Sequence, residues 1–261
     1  MKIIESKDNP IYKLAIKLTR KKYRDETGLY LIEGRKPVED AFATGTGIDT
    51  VFLCEGSRED VKLSREGTVV LDRKLFRNLS DTESSQGMIA IAKKKNYDLK
   101  FFLEEILQDK QNLIIIDRLQ DPGNTGTVIR TAEAAGYGGI VLLKGSADVY
   151  APKIVRAAAG SLFRMPIVYG EQQEVIRMLK KAGKKLTAAS PDAKMMYRDA
   201  DLSEDIALII GNEGQGIDRE LMASADMKVK IPMAGSIESL NAAVAAGILM
   251  YQSQKIKSDE R

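Results

Sequence analysis

The 261-residue chain contains no histidine. That absence excludes Ser-His-Asp and Cys-His nucleophilic catalysis, imidazole general bases and His-ligated zinc. The lone cysteine, Cys54, can form no intramolecular disulfide and argues against a structural zinc site. No apolar run reaches the ~18–20 residues of a membrane span. The opening Met-Lys-Ile-Ile-Glu-Ser lacks the charged-then-apolar layout of a signal peptide, so a cytoplasmic location is expected. Chemistry in this chain must rest on carboxylates, Lys, Arg, Tyr, hydroxyls, amides or a bound cofactor.

What is present is a globular composition, with 44% hydrophobic and 30% charged residues, in a length that suits one large or two modest domains. The net charge of +3 is unevenly placed. From Lys7 to Arg24 there are seven basic residues, Lys7, Lys13, Lys17, Arg20, Lys21, Lys22 and Arg24, against the single acid Asp8. A local basic cluster on a near-neutral chain is the footprint of a polyanion partner; the competing reading is a solvated helix face.

Ser6-Lys7-Asp8-Asn9-Pro10 reads as a helix start, with the helix running to about Lys22. Short strands and helices then alternate to Ala92, and Lys93-Lys94-Lys95-Asn96-Tyr97 breaks the pattern. A second unit opens with a helix around Leu99–Gln108. Its apolar strands at 113–117, 140–143, 165–169, 185–189, 206–211 and 228–231 alternate with helices. That order predicts an α/β domain with a parallel sheet covered on both faces. The expected division is 1–95, a linker at 96–104, and 105–261, with Lys255–Arg261 as a frayed tail.

Three polar turns follow apolar strands of the second unit, where open α/β sheets bind ligands. Asp121-Pro122-Gly123-Asn124 leads into a helix that carries Arg130; in isolation it is simply a good turn and cap. Gly211-Asn212-Glu213-Gly214-Gln215-Gly216 has three glycines in six residues, in an order that is not the dinucleotide-binding G-x-G-x-x-G. Ile231–Tyr251 passes from a small-residue loop into a helix expected from Ile237. Ile237, Leu240, Val244, Ile248 and Tyr251 fall at helical spacing there and form an expected apolar stripe.

Together these turns resemble the three motifs of the SpoU/TrmH family of RNA ribose methyltransferases, in the SPOUT class. N-x-G-x-x-x-R is similar to Asn124–Arg130, G-N-E-G-x-G to Gly211–Gly216, and I-P-M-x-G-x-x-x-S-L-N to Ile231–Asn241. The N-terminal S-K-x-N-P-x-x-K and the Leu31–Gly34 L-I-E-G resemble the L30e-like substrate-binding domain of many members. One departure is Ala158, where the family segment often carries Ser.

The resemblance implies S-adenosyl-L-methionine as cofactor, a 2′-O-methylated ribose as product, no metal, and a deep trefoil knot in the C-terminal domain. It places Arg130, Asn124, Glu213, Ser239 and Asn241 in catalysis. It places Gly211, Gly216, Ile231, Gly235 and Leu240 around the cofactor. It also implies an obligate homodimer, because family sites combine motifs from two subunits. Ribosomal RNA, 23S in particular, is the expected substrate. The alternatives are tRNA or a non-enzymatic RNA-binding or ribosome-assembly role; a nicotinamide enzyme is disfavoured by glycine order.

Overall fold

The structure is a computed structural model that describes residues 3–57, 67–82 and 84–254. The expected frayed tail, Lys255–Arg261, lies outside the described residues. The chain divides into two compact units: residues 1–95 with 148–164, and residues 96–147 with 165–261. The return of 148–164 to the first unit is not foreshadowed by any composition break. No helix among the described residues is long and apolar enough to cross a membrane.

The first unit runs β1 (Ile3–Ile4), α1 (Pro10–Lys17), α2 (Lys21–Thr27), β2 (Leu29–Glu33), α3 (Arg35–Ala43), β3 (Ile48–Cys54), β4 (Thr68–Leu71), α4 (Arg73–Leu79) and β5 (Met88–Lys93). Its mixed sheet has the order β1-β4-β3-β5-β2, with β5 antiparallel to β2 and β3. Tyr12, Leu18, Phe52, Leu71, Phe76 and Ile91 are among its buried core residues.

The single expected N-terminal helix is two. Asn9 caps α1 by accepting from the Ile11 and Tyr12 amides, and Pro10 takes the first helical position. The chain then breaks at Arg20, which is extended, before α2 begins. Neither Gly nor Pro marks that break, so the sequence conceals it.

The break also corrects one member of the basic cluster. Lys7, Lys13, Lys17, Arg20, Lys21 and Lys22 are exposed, but the Arg24 side chain is only 4% exposed. Its Nη2 and Nε donate to Asp148 at 2.7 and 2.9 Å, and its Nη1 donates to the Leu18 carbonyl. Arg24 is therefore a structural ion pair inside the first unit and no RNA-contact residue. Removing one partner of a buried pair strands the other charge, so Arg24→Ala is expected to cost about 3–5 kcal/mol in denaturant unfolding. Lys22→Ala, at an exposed i,i+4 pair with Glu26, is expected to change stability by no more than about 0.5 kcal/mol.

The second unit contributes α5 (Leu99–Phe101, continued as a π-turn over Phe102–Ile106), β6 (Leu113–Ile116), α6 (Pro122–Ala134) and β7 (Gly139–Leu143). The returning segment holds α7 (Pro152–Ala157). The chain closes with β8 (Ile167–Gly170), α8 (Gln172–Lys181), β9 (Lys185–Ala189), β10 (Met195–Met196), β11 (Ile206–Ile210), α9 (Arg219–Ser224), β12 (Met227–Lys230) and α10 (Ala242–Gln252). The seven strands are all parallel, ordered β10-β12-β9-β11-β6-β7-β8. Every residue of β6, β7 and β11 is buried, as expected of central strands covered on both faces.

The C-terminal helix starts five residues later than its spacing suggests. Asn241 is the cap, its Oδ1 accepting from the Ala243 and Val244 amides at 2.9 and 3.2 Å. Three members of the apolar stripe stand exposed: Ile237, Val244 and Tyr251 are 60%, 51% and 55% exposed. The buried residues are Ala243, Ala246, Leu249 and Met250, and α10 packs against α6. Small residues let the two backbones approach, and Gly247 sits against the Thr131 methyl.

Candidate active site

The three turns converge at the carboxyl edge of the parallel sheet. Asp117 follows the last residue of β6, and its amide still bonds to the Ile210 carbonyl of β11. Asp121 caps α6, accepting from the Asn124 amide at 2.7 Å, and Pro122 opens the helix. After β11 the chain closes a tight loop in which the Asn212 and Gly216 backbones bond to each other in both directions. Asn212 fastens this loop from within. Its Oδ1 accepts from the Gly214 and Gln215 amides, and its Nδ2 donates to the Arg118 carbonyl at 2.8 Å.

Glu213 then reaches across to the first turn. Its carboxylate accepts from the Gln120 amide at 3.4 Å, the Asp121 amide at 3.1 Å and Asn124 Nδ2 at 3.2 Å. Asn241 Nδ2 donates to Asn124 Oδ1 at 2.8 Å. One hydrogen-bonded chain, Glu213–Asn124–Asn241, thus links all three turns, although 117 positions of sequence separate Asn124 from Asn241. A carboxylate at the start of α6 also meets the positive end of that helix.

Partial burial works to raise the Glu213 pKa, but hydrogen bonds from its own backbone, Asn124, Asp121 and Gln120 outweigh it and hold the group below the ordinary 4.5. A carboxyl depressed in the folded state stabilises that state above its unfolded pKa, and the contribution is lost as pH falls through the folded value. Thermal stability should therefore carry a Glu213-dependent component that is constant above about pH 5 and declines from 4.5 downward. Comparing unfolding temperatures of wild type and Glu213→Gln between pH 3 and 6 isolates it; parallel curves would contradict the assignment.

Beside this chain of bonds lies a cleft of about 690 Å³. Its walls include Ile210, Gly211, Gly216, Ile231, Leu240 and Leu249, with Glu213, Glu238, Ser239 and Asn241 at the polar side. The size and the mixture of apolar walls with a few polar groups suit an organic cofactor. Gly211 is demanded by the protein itself, because a Cβ there would collide with the Gly216 carbonyl carbon and the Ile217 nitrogen. Gly216 is needed for its φ of +68°, the left-handed region.

Not every residue expected at the site stands there. Gly235 is exposed, has open space around it and is no part of the cleft wall. Arg130 is exposed on α6 and forms no ion pair or hydrogen bond among the described residues. It lies six positions beyond Asn124, which turns it about 120° away around the helix. The sequence reading also missed Ser190-Pro191-Asp192, which line the cleft at the end of β9. The strand-end rule that selected the other turns would have found them. It missed Asp117 too, buried and paired with Arg118 Nε at 2.8 Å while accepting from the Asp218 amide at 2.7 Å. Arg118 takes a left-handed φ of 56° there, an uncommon conformation for a residue with a side chain.

A wholly parallel sheet that gathers strand-end turns around a glycine-walled cleft defines an α/β enzyme whose ligand sits at the carboxyl ends of its strands. Comparison with known proteins narrows that class: the chain belongs to the SpoU rRNA Methylase family, matched over residues 111–251. Residues 9–90 match the MRM3-like substrate binding domain.

Among characterised relatives, the Bacillus subtilis (strain 168) 23S rRNA (guanosine(2553)-2′-O)-methyltransferase RlmP is 36% identical over 253 residues, 96% of this chain and 98% of RlmP. The crystal structure of an AdoMet-bound rRNA methyltransferase from Sinorhizobium meliloti superposes with a TM-score of 0.87 at 33% identity, covering 97% of each chain. The SpoU methyltransferase AviRb from Streptomyces viridochromogenes, in complex with AdoMet, gives 0.85 at 29% identity over 94% of this chain and 97% of AviRb.

Proposed function

We propose that this protein methylates a ribose 2′-hydroxyl in 23S ribosomal RNA, using S-adenosylmethionine. The observation that carries the reading is the Glu213–Asn124–Asn241 chain, which joins three remote turns beside one cleft of suitable size. The 36% identity to RlmP over nearly its whole length supports 23S rRNA as the substrate.

When bound, S-adenosylmethionine supplies a methyl on a sulfonium, whose leaving group needs neither metal nor redox partner. The cleft residues fit it. Gly211, Gly216, Ile231 and Leu240 offer backbone groups and apolar walls, and backbone hydrogen bonds can read an adenine edge without charged side chains. Ser239 and Asn241, on the polar side, orient the ribose. Glu213 fixes Asn124, and Asn124 fixes Asn241, so these amides are held before substrate arrives. Arg130 presents a planar guanidinium with a fixed fork of donors. Its role is to hold a phosphate or ribose oxygen and to stabilise developing charge on the 2′-oxygen.

Arg130 is exposed and absent from the cleft wall of its own chain, and the exposed apolar residues Val244 and Tyr251 stand on α10, which packs against α6. Both features support a homodimer in which Arg130 of one subunit serves the cleft of the other. In this reading residues 1–95 are an L30e-like RNA-binding domain, 96–104 a linker and 105–261 the methyltransferase domain. The RNA-facing cations of the first domain are Lys7, Lys13, Lys17, Arg20, Lys21 and Lys22. The segment Ile231–Tyr251 is the part of the chain passed through a loop to form the knot, and the protein works in the cytoplasm.

The test is methyl transfer from labelled S-adenosylmethionine to 23S rRNA and tRNA transcripts, followed by mapping of the methylated ribose. Label on one 23S ribose is expected. Label on tRNA alone would overturn the substrate, and cofactor binding without transfer to either RNA would overturn the activity. Sedimentation should give a dimer; an active monomer would contradict the shared site.

A further inference from the structure

Among the described residues, four cations of the seven-stranded unit, Lys194, Arg198, Lys228 and Lys230, have no part in the cleft wall and no ion pair. The two-residue strand β10 forms the outer edge of the sheet and pairs with β12, Met195 beside Val229 and Met196 beside Lys230. Val229 is fully buried, so strand alternation puts Lys228 and Lys230 together on the opposite face. Lys194 precedes Met195 as Lys228 precedes Val229, which sets two lysines side by side on neighbouring strands. The Tyr197 amide donates to the Lys230 carbonyl at 2.9 Å and carries the pairing one step further. Arg198 follows, its guanidinium 5.4 Å from the Tyr197 ring centroid and its Nε donating to the Tyr197 hydroxyl at 3.0 Å.

Among the described residues, none of Lys194, Arg198, Lys228 and Lys230 forms an ion pair, and the nearby acids Asp192 and Asp199 pair with none of them. Other lysines of this unit do find carboxylates, as Lys180 does with Asp226 at 3.1 Å and Lys184 with Asp205 at 2.7 Å. Like charges on adjacent strands cost stability. Local folding therefore gives no reason to gather these four. Unpaired cations interleaved with an aromatic ring suit phosphates and a stacked base. The location suits it as well, because Pro191 and Asp192 line the cleft and the chain runs directly from them to Lys194.

We propose that the β10–β12 edge is a second RNA-contact surface, in which Lys194, Arg198, Lys228 and Lys230 take phosphates of the substrate strand and Tyr197 takes a base face. The inference rests on the reading that the substrate is RNA. It adds a contact surface within the methyltransferase unit to the basic cluster of the first unit.

The experiment compares the full-length wild type with two pairs, Lys228→Gln/Lys230→Gln and Lys194→Gln/Arg198→Gln. It measures affinity for a 23S rRNA fragment over a range of salt, S-adenosylmethionine binding by calorimetry, and steady-state methylation. Each pair should weaken RNA binding about 10-fold and flatten the log–log salt slope by about 1.4–1.8, the amount for two lost phosphate contacts. KM for RNA should rise with kcat and cofactor binding unchanged. An unchanged salt slope in folded, cofactor-binding variants overturns the proposal. Edge lysines that serve only to keep the sheet edge from pairing would leave RNA affinity intact and increase aggregation, which also overturns it. If the wild type itself transfers no methyl to RNA, the broader reading fails; if it does and the slopes do not move, this surface alone fails.

Discussion

Replacing Arg130 by Ala is expected to reduce methyl transfer by roughly 100- to 1000-fold, the cost of losing one group that stabilises transition-state charge. Cofactor affinity should not change, because Arg130 is absent from the cleft wall. Lys is expected to rescue little, since one compact ammonium cannot reproduce a planar fork of donors. The position of Arg130 makes a sharper form of the test available. Mixing Arg130→Ala subunits with Gly211→Ala subunits should restore activity if the arginine acts across a dimer. The mixed dimer then contains one intact cleft served by one intact arginine. If Arg130 serves its own chain, every cleft in the mixture is defective and nothing is restored. Retained turnover in the single variant would remove Arg130 from the mechanism altogether.

The Gly211→Ala variant is itself expected to lose most cofactor binding. The added methyl would overlap two backbone atoms, Gly216 C and Ile217 N, which cannot swing aside as a side-chain end can. Overpacking of this kind costs about 1–3 kcal/mol or more. If the whole of it falls on the cleft, affinity drops by up to about 100-fold. Gly235→Ala is the matched control, with nothing within 4 Å of the added methyl, and should bind normally. Calorimetry on both variants checks the pair. Equal losses would show that the loop tolerates no change at either glycine and that the local overlap is not the cause.

Much of the second unit is legible in sequence because its central strands, such as Leu113–Ile116, are apolar throughout and are punctuated by strong turns. The grouping of three strand-end turns follows from the same rules, but α6 opens at Pro122, three residues before the expected start at Thr125, because Asp121 rather than Asn124 is its cap. What fails is instructive. The start of α10 is misread because Ile237 and Leu240 happen to continue the spacing of Val244, Ile248 and Tyr251 backwards into a loop. The facing of that helix does not follow from the stripe of large apolar residues, because close backbone packing prefers the alanines. Arg24 is misread because its partner, Asp148, lies 124 residues away in a segment that pattern assigns to the other unit. The motif resemblance names Glu213 and Asn124 but cannot reveal that they bond to each other. That link depends on a loop geometry set by Asn212.

The grip of Glu213 on the start of α6 has a kinetic consequence. An amide proton held by a carboxylate exchanges with solvent only when that bond opens. The Gln120 and Asp121 amides both donate to Glu213, so their exchange rates time the release of the glycine loop from the helix. Two backbone protons, assigned in a deuterium-exchange experiment, would thus act as a clock for the mouth of the cleft. Both should slow together when ligand fills it, because one side chain holds them both.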